Sequence, residues 1–93
     1  MMYYVTAVEQ IISNGELSEY STSEKHVDRS TAMTKYYQKL SNVANDIGEG
    51  KSHTYMRINI KSSVGEVVKP DEVLGQYLEA LPEPEPEPEP EEA

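Results

Sequence analysis

Acidic and histidine side chains alternate at Glu24-x-His26-x-Asp28, and a second histidine stands at His53. In an extended segment, residues two apart share a face, so this trio could offer one imidazole and two carboxylates to zinc or copper. The interleaved Lys25 and Arg29 set positive charge beside it, and Asp28 occupies a helix-capping position. The spacing is therefore read as a strand end followed by a cap, with no metal and no other cofactor. Gly48-Glu49-Gly50-Lys51-Ser52 has the look of a phosphate loop but lacks its spacing and its upstream strand. It follows a helical segment, whose C-terminal carbonyls repel phosphate. No serine sits in a nucleophile-elbow context. The absence of cysteine removes thiolate nucleophiles, thiolate metal sites and any disulfide framework. Paired carboxylates need a shaped, partly dry cleft to separate their pKa values, and one helix on a small sheet leaves little room for it. No enzymatic activity is expected.

The remaining chemical resource is tyrosine: seven of them, with no phenylalanine or tryptophan. Tyr36 and Tyr37 fall on the apolar stripe of a helix and are expected in the core. Tyr3, Tyr4, Tyr20, Tyr55 and Tyr77 could build an amphipathic contact surface, because tyrosine combines an apolar ring with a polar tip. The contact residues chosen from the sequence are Tyr3, Tyr4, Val8, Ile12, Tyr20 and Tyr55. Stacking of nucleic-acid bases would need more basic neighbours than Arg57 and Lys61 beside Tyr55. The surface is thus expected to meet protein, either another chain or a second copy in a homo-oligomer.

These residues must be held by secondary structure. Tyr3 to Ile12 is rich in β-branched and aromatic residues, and Asn14-Gly15 behind it is the strongest short hairpin signal. Glu16 to Ser23 reads as the return strand. Asp28 predicts a cap for a helix from Arg29 to Ile47, with apolar residues at 32, 33, 36, 37, 40, 43, 44 and 47. Gly48 and Gly50 are suited to ending it. Thr54 to Lys61 alternates, with Met56, Ile58 and Ile60 on one face, and Glu66 to Lys69 reads as a short partner that Pro70 ends. Asp71 to Leu81 is open to three readings: a short helix capped by Asp71, a strand, or a linker. The predicted architecture is α+β: a four-stranded, mostly antiparallel sheet in β-β-α-β-β order with the helix across one face. Its predicted core is Val5, Ala7, Met33, Tyr36, Tyr37, Leu40, Val43, Ala44, Ile47, Met56, Ile58 and Ile60. The first strand is not cleanly two-faced, since Tyr4, Val8 and Ile12 oppose Tyr3, Val5, Ala7 and Ile11. That pattern marks a contact patch, a β-bulge that switches the alternation, or ordinary exposure of a few apolar side chains.

Ninety-three residues suffice for one domain, expected over residues 1–81, with a disordered extended tail over residues 82–93 reading PEPEPEPEPEEA. Of the 17 acidic residues six lie in that tail, so the body carries 11 acidic and 8 basic groups, a net −3 against −9 for the chain. A near-balanced body with a repelling tail disfavours nucleic acid and anionic membrane surfaces. The opening MMYYVTAVEQII lacks a basic n-region, and no run is long enough to span a bilayer.

The opening YYVTAVE, the helical AMTKYY from Ala32 to Tyr37, the strand MRINI from Met56, the VGEVV from Val64 and the Pro-Glu terminus resemble small uncharacterised proteins of phages and prophages of Firmicutes-type bacteria. The resemblance spans nearly the whole chain through short motifs. It implies a virion or late accessory role near tail or lysis functions, in the host cytoplasm or the virion, and it brings no catalytic residues. The expected function is a non-enzymatic structural or protein-interaction module, virion-associated or self-associating. Two alternatives stand beside it: a small acidic inhibitor of a host protein, and a small-ligand-binding domain.

Overall fold

A computed structural model describes residues 1–79, and the expected Pro-Glu tail lies outside the described residues. Four strands and one helix follow in the order β1 (Tyr3–Ser13), β2 (Glu16–His26), α1 (Arg29–Gly48), β3 (His53–Ser62) and β4 (Val67–Gly75). The strands form one antiparallel sheet in the spatial order β2-β1-β3-β4, with α1 connecting β2 to β3. This is the α+β architecture that the sequence predicts.

The first hairpin turns where the sequence places it. Asn14 (φ 53°) and Gly15 (φ 78°) both take the left-handed conformation that a two-residue turn of this kind requires. The β1–β2 register then runs without interruption from Ser13↔Glu16 to Tyr3↔His26. Asp28 does stand at the N-cap of α1, but its carboxylate meets no backbone N–H. It accepts instead from the hydroxyls of Ser30 (2.7 Å) and Thr31 (3.0 Å). At the other end Gly50 (φ 70°) donates to Ile47 O and Lys51 donates to Asp46 O, a paired closure that satisfies two orphan carbonyls. Gly48 lies within the last helical turn.

Ala32, Tyr36 and Val43 of α1 bury against Val5, Ala7, Met56, Ile58 and Ile60, with Met33, Leu40 and Ile47 packed at the margin. Two expected core residues are on the flank instead: Tyr37 is 48% exposed and Ala44 is exposed. The apolar positions on α1 span a wider arc than the sheet can cover, so those at its edges meet water. Tyr37 still finds partners, its ring lying edge-on to Tyr36 and beneath the Lys69 ammonium.

The C-terminal region departs most from expectation. β4 continues through Pro70 to Gly75, so no helix starts at Asp71, and residues 76–79 are irregular. Proline is tolerated because β4 is an edge strand and its ladder with β3 is broken by irregularities on either side of Ile60↔Lys69. Gly75 (φ 74°) ends the strand, and its N–H neighbour Gln76 donates to Thr54 O at 2.8 Å. A side chain at Gly75 would collide with that same carbonyl oxygen.

Candidate functional site

The sheet has a face covered by α1 and an open face. β1 lies between β2 and β3, so each of its side chains has a neighbour on both sides. On the open face Tyr4 lies between Lys25 and Lys61, Thr6 between Ser23 and Asn59, Val8 between Ser21 and Arg57, and Gln10 between Glu19 and Tyr55. The contact residues chosen from the sequence therefore divide. Tyr4, Val8, Ile12 and Tyr55 share the open face. Tyr3, which packs against the core, and Tyr20, which faces the Glu9 row, belong to the α1 side. A bulge does occur in the β1–β3 ladder between Gln10 and Ile11, but it follows Tyr4 and Val8 and leaves both where simple alternation puts them.

One end of the open face is roofed by the chain itself. After Gly75, the segment crosses back so that Gln10 clamps Leu78: the Gln10 amide donates to Leu78 O at 2.7 Å, and Leu78 N–H donates to Gln10 Oε1 at 2.7 Å. Gln10, 2% exposed, is thereby satisfied although buried. Tyr77 stacks edge-on against Tyr55 with ring centroids 5.1 Å apart, burying Tyr55. Val8, Glu19, Tyr55, Arg57 and Tyr77 line a shallow recess of about 390 Å³ there. Hydrogen bonding to Glu19, with its charge, raises the Tyr77 phenol above its ordinary pKa. Beyond the roof, Tyr4, Val8 and Ile12 remain half-buried, and Lys25, Arg57 and Lys61 are exposed. Among the described residues these three cations make no ion pair.

A second cluster lies under α1. Glu9, 3% exposed, stands on β1 with the Lys39 ammonium 3.1 Å from Oε2 and His53 Nε2 3.2 Å from Oε1. The Lys39 contact is ionic by distance but off-axis for a hydrogen bond, since Oε2 has no hydrogen-bond partner and Lys39 donates to Thr22 Oγ1 at 2.8 Å. His53 Nδ1 lies 2.9 Å from Asp46 Oδ2, and the Tyr20 hydroxyl is 3.5 Å from His53 Nε2. Burial first, and the Glu9 charge second, push the Tyr20 phenol up.

Glu9 and Asp46 bracket the imidazole from opposite nitrogens and do not converge on one point. Accordingly, no group of three or more metal-ligating side chains is assembled among the described residues. None of these side chains lines the recess at Tyr55. The cluster joins α1, through Lys39 and Asp46, to β1, β2 and β3. Its place is in the packing of helix on sheet. The Glu24-x-His26-x-Asp28 trio is not gathered either: His26 meets Glu24 at 3.4 Å, while Asp28 is taken by Ser30 and Thr31.

Sequence reasoning passed over Glu9, Gln10, Lys39, Asp46 and the role of residues 76–78. One signal was present: Glu9-Gln10 interrupts an otherwise apolar strand, and a central strand keeps such residues only when each finds a polar partner. No family model matches this chain, and no curated protein or solved structure matches it. No helix of the described residues is long and apolar enough to cross a membrane.

Proposed function

We propose that this chain is a non-enzymatic protein-interaction module of phage or prophage type, and that the open face of its sheet is the contact surface. The observation that supports this reading most is the row Lys25–Tyr4–Lys61, continued by Arg57 beside Val8. It combines half-buried apolar groups with cations free of ion pairs among the described residues, on a body whose net charge is negative. A partner segment with an apolar side chain flanked by carboxylates complements such a surface. The phage or prophage origin, with a virion or late accessory role, rests on the resemblance in layout alone.

The test is amide-resolved NMR titration with synthetic acidic peptides carrying a central leucine or phenylalanine. Shifts should gather at Tyr4, Val8, Arg57 and Lys61, and they should vanish with Arg57→Glu or when the peptide carboxylates are replaced by lysines. Shifts confined to the α1 side, or none at millimolar peptide, would remove the open face as the contact surface.

A further inference from the structure

The two edges of the sheet are unlike. β4 is interrupted by Pro70, by ladder irregularities around Lys69 and by the left-handed Gly75, so little of its outer edge could accept another strand. β2 has none of these. It is an 11-residue strand without proline, its register to β1 is unbroken, and among the described residues no strand lies beyond it.

The tight hairpin fixes which backbone groups β2 presents outward. In a two-residue turn the flanking pair, here Ser13 and Glu16, exchanges both hydrogen bonds, and bonded pairs recur at every second position. Residues 16, 18, 20, 22, 24 and 26 therefore bond to β1. The N–H and C=O groups of Leu17, Glu19, Ser21, Ser23 and Lys25 face away from the sheet.

We infer that this edge pairs with a second copy of itself, antiparallel, about a twofold axis through Thr22. Only registers that set odd residues against odd residues let the outward groups bond to one another. Centred on Thr22, Glu19 lies opposite Lys25 of the other copy, twice, and Ser21 lies opposite Ser23. Within β2 no like charges face each other. Shifting the axis to Tyr20 would put Glu16 against Glu24, and shifting it to Ser21 or Ser23 leaves no directly opposed ion pair. Opposite charges facing across strands favour a pairing, and like charges oppose it. The twofold axis stands perpendicular to the sheet, so the result is one continuous eight-stranded sheet with both α1 helices on the same side. The edge shares Lys25 and Glu19 with the margin of the open face, but the pairing calls on none of Tyr4, Val8, Arg57 and Lys61, where a bound peptide is read.

Light scattering on the full chain should give twice 10.5 kDa at tens of micromolar protein. Ser23→Pro removes one outward N–H and leaves the β1–β2 ladder intact, so it should return the mass to 10.5 kDa with unchanged far-ultraviolet circular dichroism. Lys25→Glu should do the same through repulsion from Glu19, and Glu19→Lys/Lys25→Glu should restore the dimer. Thr22→Cys should cross-link on oxidation, since residues facing each other at a non-bonded pair have Cα atoms about 4.5 Å apart. A monomer at millimolar concentration overturns the inference. So does a dimer indifferent to both the proline and the charge variants, or one whose Thr22→Cys form does not cross-link.

Discussion

Glu9 shows how a single buried charge ties elements together. With Lys39 and His53 on either side, its carboxylate is held by α1 and β3 at once. Lys39→Met leaves that carboxylate buried with one fewer counter-charge, and a cost of about 2 kcal/mol is expected, below the fully buried case because Lys39 is partly exposed. Urea denaturation reads this directly. The double variant Glu9→Gln/Lys39→Met should lose less than the sum of the two single losses, because the contact is shared. Tyrosine gives the pH dependence. Burial is the first cause of the raised pKa at Tyr20 and Tyr36, and hydrogen bonding to Glu19 is the first cause at Tyr77. The folded chain thus holds these phenolic protons more tightly than the unfolded chain. Their contribution to stability is complete below the ordinary value of 10.0 and is lost as pH rises through the raised values. The urea midpoint should fall as pH rises above 10.0, and Tyr20→Phe should flatten that fall. None of this pairing was legible in the sequence, because Glu9 and His53 lie 44 positions apart and only the β1–β3 register brings them together.

At the scale of elements, legibility followed how local the determining signal was. The Asn14-Gly15 turn and the 3.6-residue period of α1 are written within a few residues each, and both were read from sequence. The length of β4 was not, because Pro70 stops a central strand but not an edge strand, and edge position is a property of the whole sheet. Gly75 lies in the segment for which the sequence leaves helix, strand and linker open. In the structure it is the left-handed corner from which residues 76–78 return over the open face. Gly75→Ala introduces a clash with Thr54 O in a conformation L-residues rarely adopt, so a loss of about 1–3 kcal/mol is expected. Tyr77 should leave Tyr55, and the ring-current shifts of the Tyr55 ring protons in the NMR spectrum would report it. Unchanged shifts would show that Gln10 alone holds the segment. The open face was legible only in part. Period-two alternation groups Tyr4 with Val8, whereas the flanking Lys25 and Lys61 become neighbours only through two separate ladders.

For the molecule as a whole, the sequence defines the class of fold but not the strand order, since hairpin signals are local and the placing of β1 beside β3 is not. That order also answers why β1 is apolar on both sides: it is an interior strand, under α1 on one face and partly under residues 76–78 on the other. The same placement governs how the chain reaches its native state. Its first strand can form a hairpin with β2 at once, but its other edge stays unfilled until residues 53–62 exist and have closed a long loop around α1. Closing that loop is an entropic barrier that must be crossed before the β1–β3 contacts reward it. Refolding from urea, followed by stopped-flow tyrosine fluorescence, should therefore take about milliseconds to seconds; a microsecond relaxation would mean that β1–β3 docking is not the limiting step. During synthesis the first hairpin would emerge with Val5 and Ala7 uncovered and would stay so until α1 and β3 had left the ribosome, a window in which nascent chains are most exposed to chaperones and to one another.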